Sequence, residues 1–494
     1  MAETVKVNPE PRMLIDGKLV EASTGKTFEN VNPATEEVLG QVADASTEDM
    51  QRAIAAARRA ADETDWFTNH AFRKHCLEQL QEALEAEQED LREQLILEVG
   101  CPRMLTHGPQ LDAPLADSLR DPAKLIDQYA WQTDLPDRND MRGNLQTRRI
   151  VKEPVGVVGA ITPWNYPFEV AVTKLGQALA TGNTVVLKPA PDTPWNATFI
   201  GRIVAEKTDI PAGVVNVVTS SDHLVGEELT LSRQVDLISF TGSTVVGKRI
   251  MEKGAATMKR LFLELGGKSA NIILDDADFA AATMGGAYGV CSHAGQGCAI
   301  PTRMLLPRSR YEEGVEMVKT MMAGVPYGDP QRPDVLMGPV ISAKQRERVL
   351  GYVEKGVAEG ATLALGGGRP KDLDKGWFVE PTLFTDVDNS MTIAQEEIFG
   401  PVLVVIPFED DDDAVRIAND SQYGLGGAIY SGSLERSLAV ASRIRAGVLS
   451  VNGGNIYAAD LPFGGYKDSG VGRQNGTAGF DQYLETKTLA WPAG

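Results

Sequence analysis

The chain of 494 residues is short of cysteine, histidine and positive charge. Four cysteines cannot staple a chain of this size, which excludes a disulfide scaffold. The five histidines (His70, His75, His107, His223 and His293) fall at no metal-ligand spacing, so no metal is expected. Lys plus Arg number 48 against 68 Asp plus Glu, a formal charge of −20. Such a chain is repelled by an anionic duplex, so no nucleic-acid partner is expected. Long apolar runs are absent: VVGAI before Thr162 and VLVVI before Pro407 fall far below the roughly 20 residues of a membrane span. The opening MAETVKVNPEPRMLIDGK mixes charge and proline and lacks the apolar stretch of an export signal. Together these absences lead to the expectation of a soluble cytoplasmic protein with no membrane partner.

What is present is an ordinary globular composition, 43% hydrophobic and 23% charged. At ~150 residues per domain the length corresponds to about three domains. Ser46 to Val99 reads as helix: Thr47-Glu48-Asp49 supply a cap and first-turn acids, and Leu77, Leu80, Leu84, Leu91, Leu95 and Val99 form one apolar face. From about Arg148, strands (VVGAI, NTVVLK, VVNVVT, VDLISFT) alternate with helices (Phe168 to Thr181, Thr198 to Lys207), the rhythm of a doubly wound α/β sheet. A second α/β region follows, with helices at Tyr311 to Met322, Ser342 to Glu359, from Asp411, and at Leu434 to Arg445; PVLVVIPF and GLGGAIY are its apolar runs. Asp127 to Ile150 is polar and hairpin-like, with Arg142-Gly143-Asn144 as turn material, and reads as an arm. Asp410 to Asp413 read as a helix cap and first turn, where the dipole favours anions, rather than as a metal cluster.

Two segments carry chemistry. Gly242 to Lys248 fits G-x-x-x-x-G-K, but Arg249 stands where a magnesium-binding Ser or Thr is needed. The string follows a strand and opens a helix, so it describes an anion site without the equipment of an NTPase. Cys298 follows Gly295-Gln296-Gly297, which leaves its backbone open to close approach, whereas Cys76 and Cys101 read as structural thiols. Glu264, in LELGGKS, puts a carboxylate at the end of an apolar strand, a costly placement unless it is paired or functional. A thiol nucleophile with a separate carboxylate base makes a covalent catalytic pair.

ELGGKS (Glu264 to Ser269) and GQGC (Gly295 to Cys298) resemble the glutamate and cysteine signatures of the aldehyde dehydrogenase superfamily. PWNYPF (Pro163 to Phe168), FTGS (Phe240 to Ser243), EEIFGP (Glu396 to Pro401) and PFGGYKDSG (Pro462 to Gly470) follow in the family's order, from about Met13 to Trp491. The resemblance implies an α/β fold: a Rossmann-type cofactor domain (1–124 and 147–262), an α/β catalytic domain (263–478) and a small β oligomerisation arm (125–146 and 479–494). It implies oxidation of an aldehyde with NAD, NADP being possible, through a thiohemiacetal and a thioester that glutamate-activated water hydrolyses; a coenzyme-A-acylating enzyme is the alternative. Cys298 resembles the nucleophile, Glu264 the general base, Asn165 the oxyanion donor and Lys174 a buried proton-assisting lysine. Lys188, Gly242 and Ser243 match the adenosine-ribose and pyrophosphate contacts. Glu397 and Phe399 match the nicotinamide side, with Trp164 and Leu265 beside the same cleft. The family also implies a homo-oligomer, a tetramer in preference to a dimer.

The sequence departs from the family pattern at three positions, one of them Gly297, which is often cysteine in relatives. Pro191 stands where NAD-preferring relatives often carry a ribose-binding glutamate, which leaves room for NADP while NAD is favoured. Gln474 stands where many relatives have a proton-relaying glutamate. The resemblance places Phe168, Glu169, Val172, Thr173, Ser292, His293 and the loop Asn455 to Leu461 along the substrate channel. No arginine is evident there, which weighs against a carboxylate-bearing aldehyde.

Overall fold

A computed structural model describes residues 7–493. Part of the N-terminal leader reading, the outer ends of the expected cofactor domain and arm, and Gly494 lie outside the described residues. The short apolar runs build two large sheets. The first has five parallel strands at its centre, in the order Val215–Val217, Thr184–Lys188, Val157–Ile161, Leu237–Thr241 and Arg260–Glu264. Sequence order runs outward one way from Val157–Ile161 and then resumes on its other side, so a topological switch point lies between Val157–Ile161 and Leu237–Thr241. The run VVGAI is almost wholly buried, as are TVVLK and LISFT, because helices cover both faces; that is why these strands read as unbroken apolar runs.

The helical layer matches its sequence pattern. Leu77, Leu80, Leu84, Leu91, Leu95 and Val99 are all buried, each burial contributing about 1.5–3 kcal/mol. They lie on two helices, His70–Ala86 and Gln88–Val99. The cap of the preceding helix, Thr47–Glu63, is Ser46: its Oγ accepts the Asp49 N–H at 3.3 Å while Asp49 Oδ2 accepts the Ser46 N–H at 3.0 Å.

The second sheet has the order Thr362–Leu365, Thr382–Thr385, Val402–Phe408, Arg303–Pro307, Ala270–Ile273, Gly426–Tyr430 and Val448–Val451. It is parallel except at its first pair. Asp410 caps the helix Asp411–Asn419, accepting the Asp413 N–H at 2.9 Å. The helix that begins at Leu434 stops at Ala441, short of the expected Arg445, because Asn419 intercepts the chain: its Oδ1 accepts the Arg445 N–H at 2.7 Å and its Nδ2 donates to the Arg443 carbonyl at 2.9 Å.

A third, antiparallel sheet joins Gln132–Asn139, Leu145–Pro154 and Leu484–Pro492. The expected boundaries shift here. Residues 125–128 belong to the helix Arg120–Gln128, whose Ile126 is in the core, and Leu145–Pro154 carries the arm beyond 146. Residues 479–482 close the helix Gly476–Gln482 rather than the arm. Gly470–Val471, inside the stretch 263–478, pairs antiparallel with Leu263 and Glu264 and so extends the first sheet.

Candidate active site

The carboxyl ends of the first sheet's strands face the amino ends of the second sheet's. Beyond Ile161 the chain passes through Trp164 and Asn165 into the helix Pro167–Ala180; beyond Thr241 it passes Gly242 and Ser243 into the helix Thr244–Gly254; Glu264 is the last residue of its strand. On the other side, Cys298 precedes the strand Arg303–Pro307, and Glu397 and Phe399 precede Val402–Phe408. The link 265–269 crosses from one edge to the other, and its two glycines set the spacing. A Cβ on Gly267 would lie 2.5 Å from the Cys298 carbonyl oxygen, and one on Gly266 2.5 Å from Glu397 Oε2. The Gly267 N–H donates to Glu397 Oε1 at 2.9 Å. Any side chain at either position would wedge the edges apart.

The segment leading to Cys298 is strained. His293 and Ala294 both lie in the left-handed region, at φ 50° and 52°. They are held by His293 Nε2, which donates to the Asn165 carbonyl at 2.9 Å, and by Gln296 Nε2, which donates to the His293 carbonyl at 3.1 Å. Burial pushes the His293 imidazole down to about 4, so it is neutral and its Nε2 carries the proton that this bond uses. Asn165 Nδ2 donates to the Gln296 carbonyl at 2.9 Å, and Gln110 Nε2 fixes the Asn165 carbonyl at 2.8 Å. Gln110 and Gln296 were missed as site residues. Gln296 stands inside the quoted GQGC, and its role is readable only once the strained loop is seen; Gln110 lies in irregular sequence with no motif around it. Cys298 is partly buried and packs against the cluster of Leu425, Val448 and Phe463, as do Ile456 and Tyr457.

Buried carboxyls and lysines surround the thiol. Burial pushes Glu264 up to about 7, against the pull of the Cys298 thiol and Lys174. Burial drives the Cys298 thiol well above its usual value, and the Glu264 carboxylate adds to that. Lys174 is pushed down to about 7 by burial, opposed by Glu264 and Glu169. Its Nζ donates to Ser239 Oγ at 3.0 Å, Ser239 Oγ lies 2.9 Å from the Tyr483 hydroxyl, and the ammonium sits 4.7 Å from the Phe262 ring. Resting Cys298 is therefore a thiol beside a carboxyl that titrates near neutrality, an arrangement suited to moving one proton between them.

At the switch point the helix Thr244–Gly254 presents its N-terminus. Ser243 is its cap, accepting the Val246 N–H at 3.4 Å, and the Gly242 N–H is used by the Glu264 carbonyl at 3.0 Å. An anion here would meet the remaining first-turn N–H groups rather than those two. Lys188 ends its strand buried, with Nζ on the Pro189 and Ser220 carbonyls at 3.2 and 3.4 Å; burial lowers it to about 8 while Asp44, Asp192 and Asp222 draw it up. Pro191 is exposed on the following loop. Phe399 holds a left-handed φ of 62°, its carbonyl pinned by Gln345 Nε2 at 2.7 Å, and meets Trp164 edge-on at 5.3 Å. Leu265 is buried at the seam, its N–H on the Ser469 carbonyl at 3.0 Å.

Residues 19–489 match the model of the aldehyde dehydrogenase family. The chain belongs to the aldehyde dehydrogenase family. It is 42% identical over 477 residues to the 3-succinoylsemialdehyde-pyridine dehydrogenase of a Pseudomonas species, covering 96% of this chain and 97% of that one. Its fold is similar to that of the aldehyde dehydrogenase of Bacillus cereus in complex with NAD+ (TM-score 0.94, 40% identity, 99% and 98% of the two chains). It is equally similar to the Mycobacterium tuberculosis aldehyde dehydrogenase complexed with NAD+ (TM-score 0.94, 40% identity, 99% of each chain).

Within this aldehyde dehydrogenase, helix geometry corrects part of the expected channel. Phe168 and Val172, four residues apart, lie on the face of Pro167–Ala180 that packs into the core of the first sheet with Leu175 and Leu179. Both are enclosed among those core side chains. Glu169 and Thr173 lie on a neighbouring face, where Thr173 Oγ1 donates to Glu169 Oε1 at 3.3 Å. Tyr166, which caps the same helix, meets His293 edge-on at 5.4 Å. Ser292 is partly buried where the helix Phe279–Cys291 ends.

Proposed function

We propose that this aldehyde dehydrogenase oxidises an aldehyde to the carboxylic acid through a covalent intermediate on Cys298, with NAD as cofactor and NADP as the second choice. The observation that carries the reading is the pairing, across the seam of the two sheets, of the Cys298 thiol with the Glu264 carboxyl. Glu264 takes the thiol proton as Cys298 Sγ bonds to the aldehyde carbon. The second Asn165 Nδ2 proton and the Cys298 backbone N–H face the oxygen that gains the negative charge. A bound nicotinamide supplies the hydride acceptor. Lys188, the N-terminus at Gly242 and Ser243, Leu265, Trp164, Glu397 and Phe399 form a cradle suited to that group: a buried lysine, a helix dipole, and a carboxyl held by the Gly267 N–H. Glu264 passes that proton on, becomes a carboxylate again and deprotonates water, whose hydroxide displaces the acyl group from Cys298; the leaving thiolate takes the proton back from Glu264, which restores the thiol. Lys174, lowered toward neutrality beside Glu264, accepts or returns the proton. NAD+ in the two similar structures supports the cofactor, and Pro191 removes the acid that would exclude a 2′-phosphate. The water-activating Glu264 favours hydrolysis over transfer to coenzyme A.

The division into a cofactor unit, a catalytic unit and an arm follows the three sheets, with the arm redrawn to 132–154 and 484–492. Met141, Leu145, Leu489 and Trp491 are exposed on the arm, which supports association of copies, with a tetramer as the proposed state. The nucleophile and three further free thiols need a reducing compartment, so the cytoplasm is the proposed location. Among the described residues no helix is long and apolar enough to cross a membrane.

The test is a panel of aldehydes with NAD+ and NADP+, read as NAD(P)H absorbance and as acid released without coenzyme A. Wild type should form acid in molar step with NAD(P)H, and Cys298→Ser should abolish both. Intact turnover in Cys298→Ser, or a requirement for coenzyme A, would overturn the mechanism.

A further inference from the structure

Glu169 has no part in the chemistry derived above, yet it stands beside it. It is 8% exposed on the first turn of Pro167–Ala180, near enough to Cys298 to oppose ionisation of the thiol and near enough to Glu264 for that carboxylate to oppose its own. Its Oε1 takes one bond, from Thr173 Oγ1, which itself lies 3.2 Å from Ser118 Oγ. Among the described residues Glu169 forms no ion pair. The nearest buried ammonium, on Lys174, is turned away to Ser239 and the Phe262 ring. The thiol is thus ringed by three buried carboxyls, Glu264, Glu169 and Glu397, and the pair Glu264 and Glu397 already have stated tasks.

A buried carboxylate without a cation is costly, and buried acids with perturbed protonation gather at functional sites. Burial, reinforced by Glu264 and only partly opposed by Lys174 and the Thr173 hydroxyl, pushes Glu169 up to about 8, so in the resting enzyme its proton stands in for that partner. Aliphatic aldehydes would leave it in this state, and an aldehyde carrying a carboxylate would hold it there and gain no ion pair from it. A cation would instead release the proton and gain a charge-assisted bond.

We propose that Glu169 is a specificity-determining residue that selects aldehydes bearing a protonated amine. This rests on the aldehyde dehydrogenase reading of the site and names its substrate class. Thr173 and Ser118 orient the carboxyl, and the face of the helix that bears Glu169, rather than the one that bears Phe168, meets the substrate.

The experiment compares 3-aminopropanal, butanal (the same skeleton with a methyl in place of the ammonium) and succinate semialdehyde, using wild type, Glu169→Gln and Glu169→Asp. Wild type should prefer 3-aminopropanal over butanal in kcat/KM and discriminate against succinate semialdehyde. Glu169→Gln should collapse the 3-aminopropanal to butanal ratio roughly ten- to hundredfold, mainly through KM, the range for losing a bond to a charged group. Glu169→Asp, which keeps the charge, should recover part of the ratio. An unchanged ratio in Glu169→Gln, or a wild type that favours butanal or succinate semialdehyde, overturns the proposal and leaves the aldehyde dehydrogenase mechanism standing. Absence of turnover with every aldehyde and both cofactors overturns the mechanism itself.

Discussion

The two large sheets supply opposite ends of their strands to one site. The first offers carboxyl ends, where successive turns after Ile161, Thr241 and Glu264 meet at a switch point; this is the usual place for a ligand on an open α/β sheet. The second offers amino ends: Cys298, Glu397 and Phe399 all lie just before a strand begins. The difference is one of labour. The carboxyl edge brings helix N-termini and is built for anions, hence for a dinucleotide. The amino edge brings the proposed nucleophile, Cys298, on a strained loop. Only the 265–269 link crosses from one to the other, so Glu264 can be the last residue of one sheet and the chemical partner of the other.

The sharpest way to break this division is to remove the one reacting group that belongs to the carboxyl edge. Glu264→Gln should lower turnover by about 10²–10⁴-fold, the usual contribution of a general base. Because burial raises Glu264 to about 7, the active carboxylate appears as pH rises, and kcat should climb through about pH 7 in wild type but not in the variant. Stability runs the opposite way to activity. The protonated form is the one the fold favours, so this contribution is full below the usual carboxylate range and is lost as pH rises through about 7; Glu264→Gln should gain relative stability above it. Thermal unfolding at pH 6 and pH 8 checks this.

A smaller effect should come from wedging the seam without touching a reacting group. In Gly267→Ala the new Cβ meets the Cys298 carbonyl at 2.5 Å. Displacing the nucleophile by about an ångström costs roughly 10²-fold in rate, while overpacking costs about 1–3 kcal/mol of stability. Kinetics should therefore suffer more than cofactor affinity, since the first sheet's turns are untouched and only the Gly267 N–H that holds Glu397 is disturbed on the cofactor side. Equal losses in cofactor binding and turnover would show that the two edges do not act separately.

How much of this was legible in the sequence follows the same division. The first sheet reads directly, because strands covered on both faces write themselves as apolar runs and because the switch-point rule says where their turns converge. The buried leucines from Leu77 to Val99 are legible through helical period alone. The amino edge has no equivalent rule, and its residues were found through family motifs. What escaped altogether depends on tertiary partners: Gln110 acts on Asn165 from irregular sequence, and Asn419 ends a helix that its own residues would have continued. Phe168 and Glu169 are neighbours in the chain, and only the direction of the helix puts the first in the core of the first sheet and the second against Thr173.

The smallest expected effect concerns Gln474, on the carboxyl-edge side of the seam. It is buried, its Nε2 donates to the Tyr457 hydroxyl at 3.3 Å, and its Oε1 has no partner. An amide cannot carry a proton away from Glu264, so wild type relies on Glu264, Lys174 and water. Gln474→Glu would add a carboxyl on the side of the loop 455–461 that Tyr457 anchors. If proton removal from Glu264 limits turnover, the ascending limb of the pH–rate profile should move by a fraction of a unit and kcat should change by no more than about tenfold, well inside what one proton-transfer group contributes. The sign is informative: a carboxylate near Glu264 is a like charge, which raises Glu264 further and shifts the limb to higher pH, whereas a working relay raises kcat on the plateau without shifting the limb. A profile identical to wild type would remove position 474 from the proton path and leave its amide a packing contact of the channel loop.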